Sequence, residues 1–212
     1  MKASISENVV TVISSPTTVL TLVGVVVLLI GLIKMKKVQF NARIMAHIGL
    51  AIALAAILHA FQLYKMPQGG SVTLGSMLPI LLMAVYYGPE VGFLTGFVYG
   101  IVNLIQSPYI LHPIQVLFDY PLPFMALGLA GYFKDRMVVG TIAGISARFI
   151  CHYISGIVFF ASYAPKGMSP YLYSLVFNAS YLVPECIICL ILMRVLPVKR
   201  IEETIKFAQK KA

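Results

Sequence analysis

Three ionisable side chains stand inside apolar stretches of the chain: Asp119, Arg148 and Glu185. A charge in hydrocarbon is costly, so each is a candidate for function. Asp119 lies in the run Gln115-Val116-Leu117-Phe118-Asp119-Tyr120-Pro121-Leu122-Pro123, where Gln115 and Asp119, four apart, share a helix face. Pro121 and Pro123 remove backbone donors and predict a kink beside the carboxylate. Two roles fit this acid: structural partner of a cation such as Arg148, or counter-ion for a cationic solute. Arg148, His152, Gly156 and Phe160 recur every fourth residue and form one continuous face, running from a cation through an imidazole and a gap to an aromatic plane. A lone histidine on an apolar helix more often packs than binds, but these face-mates are those of a binding wall. Tyr171, Ser174, Asn178, Tyr181 and Glu185 make a second polar stripe at helical spacing, in which Glu185 is deepest and reads as a structural acid, protonated or paired. The loops add Tyr64, Tyr109 and a turn-rich run from Tyr163 through Pro165, Gly167 and Pro170 to Tyr173. One pocket of tyrosine and phenylalanine rings with an acid, a histidine and an asparagine emerges. It suits a flat, cationic, hydrogen-bonding solute, because ring faces attract cations and stack on heteroaromatics.

The elements that must position these groups follow from composition. The chain has 212 residues, 59% hydrophobic and 11% charged, with mean hydropathy +0.91. Soluble domains carry about 25% charged residues, so the chain belongs in a membrane. A soluble enzyme, a disordered chain and a disulfide scaffold are excluded. The net charge of +9 does not indicate nucleic acid, which needs a basic face interleaved with aromatics; here the basic residues sit in short loops and the C-terminal tail. Glycine, proline and charge clusters divide the chain into seven stretches near the ~20 apolar residues a span requires, at 17–33, 43–64, 72–87, 90–106, 113–133, 140–162 and 170–196.

Alternate loops differ in basic residues. One side holds Lys34, Lys36, Lys37, Arg43, Lys134, Arg136, Arg194, Lys199, Arg200, Lys206, Lys210 and Lys211; the other holds Lys2, Lys65 and Lys166. The basic side is cytoplasmic, which predicts an external N-terminus, a cytoplasmic C-terminus and an odd number of spans. The first stretch has its basic cluster after the apolar run and no small-residue cleavage site before that cluster, so it is expected to be a retained anchor rather than a signal peptide.

Small residues mark packing faces. Gly92, Gly96 and Gly100 bare one side of their helix, and Ala51 and Ala55, flanked by Ala53 and Ala56, bare another. Each stripe serves internal packing or docking of a second membrane protein. Cys151, Cys186 and Cys189 lie in apolar stretches and read as small buried hydrophobes.

Five passages carry a family resemblance: 70–79, 92–100, Asp119 to Leu122, 148–160, and 163–178. Together they resemble the substrate-binding S-components of energy-coupling factor (ECF) transporters, specifically the thiamine-binding ThiT family, over 51–196. The resemblance implies that Asp119 faces the thiazolium with Tyr120 beside it. It implies that His152, Tyr173 and Asn178 hydrogen-bond the ligand, and that Tyr109 matches a tyrosine of an external loop. The resemblance also implies ring stacking, for which a member of the family uses tryptophans; this chain has none, Phe160 and Tyr99 stand at two such positions, and the first external loop offers Tyr64 or Gln68. Arg148 and Tyr163 complete the candidate substrate-binding set. Ala51 and Ala55 resemble the alanine motif that contacts the transmembrane coupling subunit.

The expectation is thus an all-α integral membrane protein of the plasma membrane. An extra helix and basic loop (1–40) precede a six-helix S-component domain (41–198) and a basic cytoplasmic tail (199–212). It is not an enzyme and binds no metal, cofactor or nucleic acid. No G-x-x-x-x-G-K-[ST] occurs, so the resemblance assigns ATP hydrolysis to two partner ATPases acting through the coupling subunit, while the S-component itself reorients in the bilayer. The rival readings are an S-component for another vitamin or a thiamine precursor, a proton-coupled carrier working alone, and an intramembrane enzyme. The last lacks a mate for Asp119, because Glu185 lies too deep, and lacks a nucleophile segment apart from His152.

Overall fold

The computed structural model describes residues 15–36 and 41–196, and the fold is helical with one short hairpin. The expected tail 199–212, part of the basic loop and the first residues lie outside the described residues. Helix α1 (Pro16–Met35) starts where the Ser15 side chain accepts from Thr18 N and Pro16 presets the first turn. It is apolar all round: Leu20, Gly24, Gly31 and Met35 face the bundle, while Leu22, Val26, Ile30 and Ile33 face outward as a lipid-exposed helix requires.

Helix α2 (Ala42–Ala60), capped by Asn41, ends sooner than expected. The chain then forms β1 (Gln62–Lys65), which pairs antiparallel with β2 (Ser71–Thr73), Tyr64 opposite Val72 and Lys65 opposite Ser71. Two expected spans, 43–64 and 72–87, therefore lose residues to a hairpin that apolar content alone could not distinguish from helix. Its tip carries Gly69 and Gly70 at φ 85° and 82°, which a side chain rarely adopts. What remains of the second is α3 (Leu78–Tyr87), 10 residues and so ~15 Å long, too short by itself to cross the ~30 Å hydrocarbon core.

Helix α4 (Pro89–Gln106) follows a Gly88 turn. The predicted kink near Pro121 is a full break: α5 (Pro113–Asp119) and α6 (Pro121–Ala126) meet at Tyr120, whose ψ of −80° is not helical, and a 3-10 segment (Leu127–Phe133) continues the path. Helices α7 (Met137–Phe159) and α8 (Pro170–Val195) close the bundle. Among the described residues, five units are long and apolar enough to cross a membrane: α1, α2, the composite 113–133, α7 and α8.

The glycine stripe of α4 is an internal seat. A Cβ at Gly96 would lie 2.1 Å from the Phe124 carbonyl oxygen and one at Gly100 2.6 Å from that of Tyr120. Close backbone approach holds the broken α5–α6 unit against α4. Beneath it, Tyr99, Phe124, Leu81, Ala84, Leu127 and Cys189 form the main core.

Candidate functional site

The hairpin, the end of α4, the break between α5 and α6, and the facing walls of α7 and α8 enclose one cavity of about 380 Å³. The α7 face expected from the sequence lines it in full: Arg148, His152, Gly156 and Phe160. From α8 come Tyr173, Ser174, Phe177, Asn178, Tyr181 and Glu185, whereas Tyr171 of the expected stripe is exposed. The two walls meet closely at Gly156, where a Cβ would stand 2.1 Å from Ser174 Oγ.

Asp119 ends α5 at the cavity edge. Its Oδ2 accepts from Gln115 Nε2 at 2.6 Å, a charge-assisted bond, and its Oδ1 lies 3.3 Å from His152 Nδ1. Its partner is thus His152, not Arg148. With Nδ1–H directed at the carboxylate, His152 Nε2 carries the lone pair; it is buried without a protein partner, and the residue lines the cavity.

Gln115 also fastens the external loop. Its Nε2 donates to the Tyr109 carbonyl (3.0 Å) and its Oε1 accepts from Leu111 N (2.9 Å). The Tyr120 hydroxyl donates to the Ser107 carbonyl (2.8 Å) and accepts from Tyr109 N (2.7 Å), so the same loop is tied twice. The Tyr109 ring stacks on Phe160 (5.8 Å between centroids, 22° apart), and its hydroxyl donates to that of Tyr163 at 3.0 Å. That hydrogen bond first, then desolvation and neighbouring phenols, push the Tyr109 phenol up to about 12, which keeps it a neutral donor at the rim.

Asn178 is held at both ends of its amide: Nδ2 donates to the Ser174 carbonyl (2.8 Å) and to the His152 carbonyl (3.3 Å), and Oδ1 accepts from the Tyr181 hydroxyl (2.9 Å). Tyr181 also meets the His152 ring edge-on (6.1 Å, 71°). Deeper in, Glu185 accepts from Thr73 N of β2, and the Arg148 guanidinium lies 3.9 Å above the Phe124 ring.

Four expected site residues stand elsewhere. Tyr99 is fully buried in the core, edge-on to Phe124 (4.7 Å, 86°), and its hydroxyl donates to the Ala55 carbonyl at 3.4 Å. It does not line the cavity. Tyr163 touches the site only through Tyr109 and Phe160. Ala51 and Ala55 are 6% and 0% exposed, turned inward because Ala55 packs in the core that holds Tyr99. The exposed small residues of α2 instead include Ala46, Gly49 and Ala53, and nothing lies within 4 Å of a Cβ built on Gly49.

Sequence reasoning did not single out the lining groups Thr73, Ser76, Asn103 and His59. The hairpin residues were hidden inside an assumed helix; Asn103, at a polar position in an apolar helix, was the one detectable signal. Among the described residues no three His, Cys, Asp or Glu side chains gather as a metal site, and the cavity's chemistry is hydrogen bonding, charge and ring stacking.

This is the architecture of a helical membrane protein that encloses a small polar ligand. Residues 45–205 match the family model described as Thiamine transporter protein (Thia_YuaJ), and the chain belongs to that family. It is similar to the thiamine transporter ThiT of Bacillus subtilis, with 39% identity over 146 residues that cover 61% of this chain and 76% of that one. It is also similar to the thiamine transporter ThiT of Lacticaseibacillus paracasei, with 29% identity over 140 residues covering 57% and 70%. The solved structure of ThiT from Listeria monocytogenes has the same fold (TM-score 0.68, 24% identity, 76% of this chain and 96% of that one). Helix α1 lies ahead of the matched segment.

Proposed function

We propose that the cavity captures thiamine from outside the cell and that the chain is the substrate-binding S-component of an ECF-type importer, with ATP hydrolysed by two partner ATPases through a coupling subunit. The observation that carries this reading is the Asp119 carboxylate, held by Gln115 and His152 in an aromatic-rimmed cavity. A fixed anion there meets the thiazolium cation without having to be oriented on binding. Tyr120, His152, Tyr173 and Asn178 surround it, and Phe160 and Tyr109, already stacked, supply a ring plane. Arg148 forms the inner wall, and Tyr163 steadies the rim through Tyr109. No cofactor or metal is needed for capture. Docking of the coupling subunit falls to the outward small residues of α2, Gly49 and Ala53, where a partner backbone can approach closely.

The test is a calorimetric panel on the purified protein with thiamine, its pyrimidine and thiazole halves, riboflavin and pantothenate. Thiamine is expected to bind tightest; preference for another vitamin would overturn the reading. In liposomes the chain alone is expected to move no thiamine down a pH gradient, and uptake without the ATPase module would make it an autonomous carrier instead.

A further inference from the structure

Helix α1 and the core meet in a second polar feature, at the far end of the composite 113–133 from Gln115. The helix has 20 residues and so spans ~30 Å, the thickness of the hydrocarbon core, which puts its last turn at headgroup depth on the side rich in basic residues. Gly24 and Gly31 seat it beside Phe118 and Met125, and Met35 shares a buried cluster with Phe93. This packing brings the Lys34 ammonium 6.0 Å from the centre of the Tyr132 ring, which also meets Phe93 (6.4 Å, 57°). Tyr132 is nonetheless 53% exposed. A ring face attracts an ammonium but accepts none of its three N–H donors conventionally. Among the described residues, neither that ammonium nor the Tyr132 hydroxyl has a hydrogen-bond partner. Lys36 caps α1, and Lys134 and Arg136 flank a turn closed by Arg136 N donating to the Phe133 carbonyl (2.8 Å); all three are exposed. The described acids of this end, Asp135 in that turn and Glu90 in the first turn of α4, pair with none of the four cations. Orientation in the bilayer needs basic residues on this side but not their convergence. The helix dipole favours a cation at the end of α1, which accounts for Lys34 singly and not for its meeting with Tyr132.

We propose that Lys34, Tyr132, Lys134 and Arg136 bind the phosphate of an anionic glycerophospholipid between the end of α1 and the 3-10 segment. Phosphate supplies the acceptors that the ammonium, phenol and guanidinium lack, and its bonds to the cations are charge-assisted. Basic groups gathered between transmembrane helices at the cytoplasmic surface recognise such headgroups. The occupant is a lipid rather than a soluble phosphate because lipid-facing surface adjoins the site: Ile30 and Ile33 of α1, Phe133, and Val138 of α7 are exposed apolar side chains along which acyl chains lie. The lipid fastens α1 to the rest of the bundle, and it does so with residues from both, since Lys34 comes from a helix ahead of the segment that matches the family.

The full chain in detergent is titrated with dioleoyl phosphatidylglycerol or dioleoyl phosphatidylcholine; native mass spectrometry counts the bound lipid, and the melting temperature is followed in parallel. The first phosphatidylglycerol is expected to bind at least tenfold tighter than phosphatidylcholine and to raise the melting temperature. Lys34→Gln is expected to cut that preference at least fivefold, and the double variant Lys134→Gln/Arg136→Gln at least as much, whereas Lys34→Arg retains it. Arg194→Gln removes an exposed cation from the last turn of α8, on the same side of the membrane, and is expected to leave the preference within twofold. Equal wild-type affinity for the two lipids would overturn the site. So would an equal loss in Arg194→Gln, which would reduce the effect to diffuse attraction by surface charge. Glycerol 3-phosphate raising the melting temperature as far as phosphatidylglycerol does would overturn the lipid as occupant and leave a free anion. Melting in phosphatidylcholine alone reports whether each variant is folded, and Lys34→Gln and the double variant test the site independently, so either decides the matter if the other does not fold.

Discussion

Asp119 faces His152 across the gap between α5 and α7, with 3.3 Å between Oδ1 and Nδ1. The pair joins the broken span to an intact helix at the point where the cavity opens. Because Gln115 holds the other oxygen at 2.6 Å, the carboxylate is oriented before any ligand arrives. A preorganised anion contributes more to binding a cation than one that must be immobilised on contact.

Replacing the charge while keeping the shape tests this. Asp119→Asn is expected to weaken thiamine binding by ~1.5–3 kcal/mol, the scale of a hydrogen bond to a charged group, or roughly ten- to hundredfold in Kd. Calorimetry on detergent-solubilised protein measures it; an unchanged Kd would end the counter-ion role.

Gly156 sets how closely α7 and α8 approach. A methyl there would press on Ser174 Oγ, which itself donates to the Tyr153 carbonyl at 2.8 Å. Gly156→Ala should therefore destabilise the fold by ~1–3 kcal/mol, typical of overpacking, and displace Asn178. A lower melting temperature with weaker thiamine binding is the expected pair of results; unaltered melting would show that the walls can separate freely.

Helix α1 leans on the segment that carries the acid. A Cβ on Gly24 would lie 2.6 Å from the Phe118 ring, next to Asp119, and one on Gly31 2.7 Å from Met125 Sδ. Gly24→Leu is expected to lower the melting temperature and thiamine affinity together, with Phe118→Ala partly restoring both by vacating the clash. If Gly24→Leu leaves both values at wild type, α1 does not buttress the site.

The two sides of α2 should separate binding from transport. Ala53→Leu, on the exposed face, is expected to keep thiamine binding within about twofold and melting within ~0.5 kcal/mol, as surface substitutions do, yet abolish uptake with the reconstituted ATPase module. Ala51→Leu, buried at 6% exposure, should lower melting instead. Reversal of this pattern in paired binding and uptake assays would place docking elsewhere.

Much of this protein was legible in its residues. Apolar run lengths and basic-loop asymmetry marked a multi-span membrane protein, and fourfold spacing placed Arg148, His152, Gly156 and Phe160 on one wall. The pairing of Gln115 with Asp119 followed from the same periodicity. Periodicity says which residues share a face, but not which neighbour that face meets. Only the tertiary structure gave Asp119 its partner in His152, sent Tyr99 into the core and turned Ala51 and Ala55 inward. A membrane helix is apolar on its lipid side and on its packing side alike, so hydropathy cannot tell in from out. The hairpin at Gln62–Lys65 and Ser71–Thr73 was hidden for a related reason: short apolar runs suit strand and helix equally, and the choice between them was made by the Gly69–Gly70 turn and by the Glu185 carboxylate that receives Thr73 N.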